Sequence, residues 1–280
     1  MADGTCVKKK IVGELSSDSL VELGEDLSSR LAAVLCDSNV SSIGLCAFIN
    51  CENLKLVSIP EATAISSGAF VRTSSLKSLY CPKVEAVESN GFQQTGLERV
   101  SMPNLTSLGY AAFMLATRLK SVDMPKLETM EGAAADEEGA VFDALTFAYC
   151  ESLESISLPS LRTIGGEAAF LNCVNLKYAS FPKASDIGAS VFLCQEEDED
   201  GYVTATWQNS LVYVNVQNVS EIKESAFANC RGLKAVDAFS AISVGKYAFA
   251  AALQLEHLEL PNVRTIGDNA FDSCLSLKSA

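Results

Sequence analysis

The chain repeats a unit of about 22 residues, and its clearest copy is Ile164-Gly165-Gly166-Glu167-Ala168-Ala169-Phe170-Leu171-Asn172-Cys173-Val174-Asn175-Leu176-Lys177-Tyr178-Ala179-Ser180-Phe181-Pro182. The steps between the central phenylalanines are 22, 22, 21, 34, 23, 22, 35, 22 and 22 residues. A period in this range is typical of a solenoid, propeller or array rather than of a globular enzyme. The repeat phenylalanines are Phe48, Phe70, Phe92, Phe113, Phe147, Phe170, Phe192, Phe227, Phe249 and Phe271.

Each repeat also carries the pattern Leu-x-x-Val-x-Leu-Pro, as in Leu153, Ile156, Leu158 and Pro159. Alternation of apolar and polar residues predicts a short strand with one buried face. Proline lacks a backbone donor and therefore ends the strand. We predict a leucine-rich repeat solenoid of about ten layers, with a parallel β-sheet along one face and a narrow interior in which Phe stacks on Phe. All seven prolines of the chain fit this one column: Pro60, Pro82, Pro103, Pro125, Pro159, Pro182 and Pro261.

The two ends of this pattern predict a division of the chain into an N-terminal cap, residues 1–41, and a repeat domain, residues 42–280. In the cap, apolar residues at helical spacing, with Ser19 and Glu22 as a capping box, predict one amphipathic helix over about residues 18–36. The two long steps predict insertions near 131–142 and 195–207. In the second, alternating residues after Asp200-Gly201 predict a small protruding hairpin.

The ten cysteines do not form the pattern of a disulfide framework. Five of them lie three residues after a repeat phenylalanine, where stacked side chains point the same way rather than at each other. A small buried position explains them by core packing, with redox or metal roles as the alternatives. These five are Cys51, Cys150, Cys173, Cys230 and Cys274.

The formal net charge of −14 argues against nucleic acid and anionic membrane surfaces as partners. No apolar run approaches the roughly 20 residues that span a bilayer, so membrane insertion is not expected. Residues 1–10 lack the pattern of a secretory signal. We therefore expect either a protein that stays inside the cell, in the cytoplasm, or a trimmed segment of a longer chain.

Catalytic chemistry has little support in the sequence. The only histidine, His257, lies in a variable column, and no second histidine is available for a metal site. The Ile-Gly pairs recur with the repeat and therefore belong to its turns rather than to a phosphate loop. The acidic run 196–200 lacks the spaced ligands of a calcium loop, which favours a solvated loop over a cation site. We expect no enzyme activity and no cofactor.

The polar side chains on the outward face of the sheet remain as candidates for function. Small hydroxyl residues there leave room for a partner, and tyrosines in consecutive repeats are side chains that dominate interface energies. A plain solubilising surface explains the same pattern. The candidate partner-binding residues are Tyr80, Arg99, Asp123, Tyr178, Tyr213, Asn215, Asp237, His257 and Glu259, with Tyr202 and Trp207 in the second insertion.

The pattern Ile-Gly-x-x-Ala-Phe-x-x-Cys-x-x-Leu, clearest at residues 266–277, resembles the BspA-like leucine-rich repeat family, also called the Treponema pallidum type. The resemblance covers about residues 43–280. It implies a curved solenoid that lies on the cell surface, binds host proteins or other cells, and catalyses nothing. Gln217 and Phe239, which stand in the proline column, and the two insertions depart from the family pattern.

The leading hypothesis is therefore a non-enzymatic scaffold that binds a protein or glycan on its sheet face, as a cell-surface adhesion protein would. The alternative is a structural component of a phage tail or similar assembly, because the same repeat pattern occurs in tail-associated proteins. In that case the repeats act as a spacer and a docking surface. Neither hypothesis sets the oligomeric state.

Overall fold

The computed structural model describes residues 13–15, 27–36, 40–132, 144–194, 196–197, 203–205 and 209–278. These residues form one short helix, α1 (Leu27–Arg30), and 22 strands, of which 20 pair in parallel ladders and two form an antiparallel hairpin. The strands are β1 (Gly13–Leu15), β2 (Ala33–Leu35), β3 (Val40–Ile43), β4 (Leu56–Ser58), β5 (Ala64–Ile65), β6 (Ser78–Tyr80), β7 (Ala86–Val87), β8 (Arg99–Ser101), β9 (Ser107–Leu108), β10 (Ser121–Asp123), β11 (Thr129–Glu131), β12 (Ser155–Ser157), β13 (Thr163–Gly165), β14 (Tyr178–Ser180), β15 (Glu196–Glu197), β16 (Val203–Ala205), β17 (Tyr213–Asn215), β18 (Glu221–Ile222), β19 (Ala235–Asp237), β20 (Ser243–Val244), β21 (His257–Glu259) and β22 (Thr265–Ile266).

The strands that precede the proline column form the predicted parallel sheet, in three ladders rather than one. Their strand orders are β2-β4-β6, β10-β8 and β12-β14-β17-β19-β21. The first interruption falls at the repeat of Phe92, which is one residue shorter than the others, and the second falls beside residues 133–143. Register within each ladder is regular, with Val57 opposite Leu79 and Val214 opposite Val236. Two of the changes in repeat length therefore coincide with a break in the sheet, whereas the ladder continues from β14 to β17 across the second insertion.

A second set of parallel ladders, which the sequence did not predict, runs along the other side of each layer. Seven strands pair in the order β1-β3-β5-β7-β9-β11-β13, and three more pair as β18-β20-β22. These strands are only two to four residues long, and most of those whose burial is described contribute one buried aliphatic residue, such as Ile65 or Ile164. In β3 both Val40 and Ile43 are buried, and in β22 Ile266 is exposed. The ladder breaks at the layer of Ile187, where no strand forms and Gly188 has a φ of +75°.

The core is a continuous column of stacked phenylalanine rings. Consecutive repeat phenylalanines from Phe48 to Phe271 have ring centroids 5.0–5.6 Å apart with nearly parallel planes. Phe181 adds a ring beside Phe170 and Phe192, and it fits because the neighbouring strand position is the small Ala179. The predicted narrow interior that stacks Phe on Phe is confirmed.

Nine of the ten repeat phenylalanines lie in turns with left-handed residues on both sides, and Phe192 has one on its N-terminal side only. Ala111 and Leu115 flank Phe113 with φ of 51° and 60°, and Tyr247 and Ala251 flank Phe249 in the same way. This backbone directs the phenylalanine N–H to the next layer, as when Phe113 donates to the carbonyl of Thr146 at 2.8 Å. The turns are therefore linked between layers as regularly as the strands.

The predicted helix over residues 18–36 is wrong in the part that the structure describes. Only Leu27–Arg30 is helical, and Ala33–Leu35 is a strand that pairs in register with Leu56–Ser58. The segment 31–36 has leucine, valine and cysteine at the first, fourth and sixth positions, which is the strand pattern of the repeats. These residues gain more by extending the solenoid ladder than by forming an isolated helix. Residues 16–26 lie outside the described residues.

The structure describes only part of each insertion. Residues 133–143 of the first lie outside the described residues. In the second, Glu196–Glu197 pairs antiparallel with Val203–Ala205, which is the predicted hairpin. Within the described chain, no helix has the length and apolar character needed to cross a membrane.

The cysteines behave as core residues. Nine cysteines fall in the part of the chain that the structure describes, and six of them are buried. The thiols of Cys150 and Cys173 donate to the carbonyls of Phe113 and Phe147 at 3.2 and 3.1 Å. Burial raises the pKa of Cys51 to about 11 and of Cys81 to about 12, so these thiols stay protonated near neutral pH. Core packing therefore accounts for the repeated cysteine column.

Candidate functional site

Six of the predicted partner-binding residues lie together on the outward side of the ladder β12-β14-β17-β19-β21, and we call this surface the five-stranded face. Parallel register aligns them in two adjacent columns, because alternate side chains of a strand point the same way. One column holds Tyr178, Tyr213 and His257, and the other holds Asn215, Asp237 and Glu259.

The two tyrosines of this face are in register on neighbouring strands. Tyr178 is opposite Tyr213, and its side chain is exposed, with 52% of its surface accessible. The hydroxyl of Tyr213 donates a hydrogen bond of 2.5 Å to Oδ2 of Asp237, which lies one strand further along. One tyrosine is therefore free to be covered by a partner, while the other is held in place.

The bond between Tyr213 and Asp237 makes the ionisation of Tyr213 unfavourable. The hydrogen bond to the carboxylate, together with partial burial and the nearby negative charge, raises the pKa of Tyr213 to about 12. The proton is needed for the bond, and an ionised oxygen would face a second negative charge. The pair is a fixed part of the face at neutral pH.

We expect the stabilising effect of Tyr213 to disappear at high pH. Its folded pKa is above the ordinary value near 10, so its contribution is complete below pH 10 and is lost as the pH rises toward 12. The variant Tyr213→Phe should be less stable than the wild type by about 1 kcal/mol at pH 8. Urea unfolding at pH 8 and pH 11.5 measures this difference, which should shrink at the higher pH. In an Asp237→Asn background the same substitution should show no such pH dependence. If the stability difference between the wild type and Tyr213→Phe is the same at both pH values, the bond to Asp237 is not the cause of the raised pKa of Tyr213.

The remaining candidates do not join this cluster. Tyr80 is 57% exposed but lies on β6, in the ladder nearest the N terminus. Arg99 and Asp123 lie on the two-stranded ladder, where Arg99 Nη1 is 3.4 Å from the hydroxyl of Ser121 and Asp123 accepts from Ser101 at 3.0 Å. Tyr202 and Trp207 lie outside the described residues.

The sequence prediction missed a cleft at the short repeat of Phe92. The cleft has a volume of about 350 Å³ and carries two arginines. The 21-residue step was visible in the sequence, but the space that it leaves between layers was not. We call it the short-repeat cleft, and its lining residues are Glu52, Arg72, Ser74, Gln94, Thr95, Gly96, Leu115, Thr117 and Arg118.

Across the ranges that the structure describes, no three or more His, Cys, Asp or Glu side chains are grouped so that they could hold a metal ion. His257 is exposed at the start of β21, where it follows Glu256 and acts on that carboxylate. The side chains on the five-stranded face are suited to contacts with a partner: aromatic surface, amide and carboxylate groups.

Comparison with known proteins places the repeats in a described family. A family model for the BspA type leucine rich repeat region matches in six copies, over residues 28–135, 140–198 and 206–280. No curated protein sequence matches the chain.

Solved structures similar to this chain are also repeat proteins. A leucine-rich repeat protein from Bacteroides ovatus is 20% identical, with 89% of this chain and 78% of that chain covered and a TM-score of 0.35. A leucine rich cell surface protein from Faecalibacterium prausnitzii is 22% identical, with coverages of 89% and 72% and a TM-score of 0.44. The leucine-rich repeat protein of T. pallidum is 18% identical, with coverages of 80% and 78% and a TM-score of 0.49.

The family match explains features that the fold shows independently: the 22-residue layers, the stacked phenylalanines and the parallel ladders. The family match begins at residue 28, inside the segment for which a helix was predicted and just before the strand Ala33–Leu35. Because the matched repeats span well over half of its length, the chain belongs to the BspA type leucine rich repeat family.

Proposed function

We propose that the protein is a binding scaffold whose five-stranded face holds a partner protein or glycan. The observation that carries this proposal is the in-register pair Tyr178 and Tyr213 on an outward, rigid surface. The layers beneath are fixed by stacked rings and by hydrogen bonds between layers, so the face does not have to be ordered when a partner arrives. Preorganisation of this kind lowers the entropic cost of binding.

The composition of the face favours a protein ligand. Exposed tyrosine surface is typical of the residues that dominate protein interfaces. Small neighbours, Ser155 and Ser157 on one side and Ser180 below, leave room around Tyr178 for a side chain of the partner. The carboxylates of Asp237 and Glu259 add a negative edge that suits a partner with lysine or arginine at that position.

A double substitution tests the face directly. Tyr178→Ser with Tyr213→Ser should weaken binding at least tenfold, because tyrosine contacts at an interface are commonly worth about 2 kcal/mol. Binding is measured by surface plasmon resonance on immobilised extracellular-matrix proteins and on a glycan array. Tyr80→Ser is the matched control, since Tyr80 is equally exposed on another ladder and its loss should leave binding unchanged. Equal binding by the wild type and the double variant would remove the five-stranded face as the site.

We further propose that the protein acts at the cell surface, because the resemblance of its repeats to surface proteins of the same family favours this location. Protease treatment of intact cells of the organism that encodes it should digest the repeats while a cytoplasmic marker is spared. Protection from protease until the cells are lysed would contradict a surface location and favour the assembly hypothesis.

A further inference from the structure

We propose that the short-repeat cleft binds the carboxylate of an acidic sugar, such as a uronic or sialic acid residue of a glycan. This site is separate from the five-stranded face and does not depend on it.

The cleft exists because one turn is a residue short. In most repeats the leucine of the strand pattern lies six positions after the phenylalanine, but Leu97 lies only five positions after Phe92. The shortened turn presses Gly96 against the layer before it, where an added Cβ would lie 2.1 Å from the carbonyl oxygen of Ser74. The ladder of strands is interrupted at the same layers, between β6 and β8. A volume of about 350 Å³ is at the small end of ligand pockets, which suits a single small group.

Two guanidinium groups in this cleft are available to a ligand. Arg72 is held by its Nε, which donates to Oε1 of Gln94 at 3.1 Å, so both terminal Nη groups can donate elsewhere. Arg118 makes no hydrogen bond or ion pair with any residue that the structure describes. Guanidinium groups bind carboxylates through two parallel hydrogen bonds. Glu52 is the one acidic residue of the lining, and its carboxylate should repel a bound anion.

The charge around the cleft is positive although the chain as a whole is acidic. The carboxylate of Glu98 is bonded to Lys120 at 2.9 Å, and Lys77 and Arg118 also act on it. Lys120 first, and then these two cations, lower the pKa of Glu98. Because charges further than about 10 Å are largely screened in physiological salt, an anion in the cleft experiences this local excess of cations rather than the net charge of −14.

The rest of the lining matches a sugar better than a peptide or a membrane. The hydroxyls of Ser74 and Thr117 and the amide of Gln94 can bond to ring hydroxyls, and Leu115 is the one apolar side chain of the lining. Thr95 is buried, and its hydroxyl accepts from Thr73. A peptide interface usually requires an apolar or aromatic centre. An anionic bilayer would meet the acidic remainder of the surface and be repelled.

The experiment uses the full chain and small probes of defined charge. Binding of glucuronic acid and N-acetylneuraminic acid is followed by NMR chemical-shift titration at low and high salt, with glucose and the methyl ester of glucuronic acid as matched neutral probes. We expect the two acids to bind, to weaken at high salt, and to bind at least fivefold more tightly than the neutral probes. Equal shifts with the acid and its ester, or no shifts with either acid at tens of millimolar, would overturn the proposal.

Three variants assign the binding to the cleft. Arg118→Gln should weaken binding of the acids at least fivefold, and Glu52→Gln should strengthen it, while Lys183→Gln, an exposed cation on a different side of the layer, should have no effect. Thermal melts verify that each variant is folded. Unchanged binding in folded Arg118→Gln and Glu52→Gln would place the sugar elsewhere, and tighter binding of a glutamate-rich peptide or of inorganic phosphate than of the two sugars would overturn the sugar assignment.

Discussion

Replacing Phe170 with alanine should lower the free energy of unfolding by about 3–5 kcal/mol. The ring of Phe170 is fully buried, and its centroid lies 5.5 Å from each of the rings of Phe147, Phe181 and Phe192. Alanine would remove apolar contacts on both sides of one layer and leave a cavity that the neighbouring layers cannot fill without breaking their own hydrogen bonds. The cost should therefore be near the upper end of this range.

The same substitution should also disturb the layers above and below it. In a solenoid each layer is stabilised only by its neighbours, so a weak layer lowers the stability of the contacts on both sides. Urea unfolding gives the total effect, and hydrogen exchange should show lost protection first at the amides of Phe147 and Phe170, which bond to the following layers.

Phe239→Ala is the matched control for this prediction. Phe239 stands in the proline column and is 40% exposed, outside the column of stacked rings. Its removal should cost less than about 1 kcal/mol, as expected for surface substitutions. A similar cost for both variants would mean that the stacked rings are not the main source of stability.

The Phe column could be predicted from the sequence because one large residue at a fixed period has few alternatives to stacking. The strand before the proline could also be predicted, since alternation of apolar and polar residues defines its faces. The second ladder could not, because a two-residue strand such as Ala64–Ile65 contributes a single buried side chain and has no alternation to detect. The left-handed residues were equally hidden, since leucine, tyrosine and alanine occupy positions where glycine or asparagine is expected.

The apolar residues of segment 27–36 are compatible both with a helix and with a strand of the repeat. Leu27, Leu31 and Val34 have helical spacing, but Leu31, Val34 and Cys36 also have the spacing of the repeat strand. The choice was decided by the neighbouring layer: the carbonyl of Ala32 accepts from the N–H of Lys55, and Ser58 accepts from Cys36. Hydrogen-bond partners 22 and 23 residues away in the chain outweighed the local preference for a helix.

The candidate site was predictable only as far as the register is regular. Tyr178 and Tyr213 occupy the same position of the repeat, which predicted that they are neighbours although they are 35 residues apart. The second insertion lies outside the strands and does not change their register. The bond from Tyr213 to Asp237 depends on side-chain conformation and could not be predicted from spacing. The short-repeat cleft is the opposite case, since a single missing residue changes the shape of the surface without changing the pattern.

Among the glycines that the structure describes, Gly188 should be the most sensitive to substitution by alanine, at a cost of about 3 kcal/mol. Gly188 has a φ of +75°, a left-handed conformation that costs an L-residue about 1–2 kcal/mol. A Cβ at this position would also lie 2.0 Å from the carbonyl oxygen of Gly166 in the preceding layer, so the backbone must shift, as in an overpacked core, at a further cost of about 1–3 kcal/mol. The second ladder is already interrupted here, so the two layers are paired only through β12 and β14 on the other side of the layer.

The variant Gly68→Ala distinguishes the cost of a positive φ from the cost of a close contact between the added Cβ and the backbone. Gly68 has a φ of +64°, but its Cβ would meet only side-chain atoms, the nearest being Sγ of Cys46 at 3.1 Å. It also occupies the turn position at which Ala111 and Ala168 already adopt left-handed conformations, so its substitution should cost only about 1 kcal/mol. Guanidinium unfolding of both variants measures the difference. If the two costs are equal, the strain at Gly188 comes from its φ angle alone, and the close approach of the Gly166 carbonyl is relieved by a small movement between layers. A larger cost for Gly188→Ala instead shows that the stacked layers resist such a movement, which is the rigidity that a preformed binding face requires.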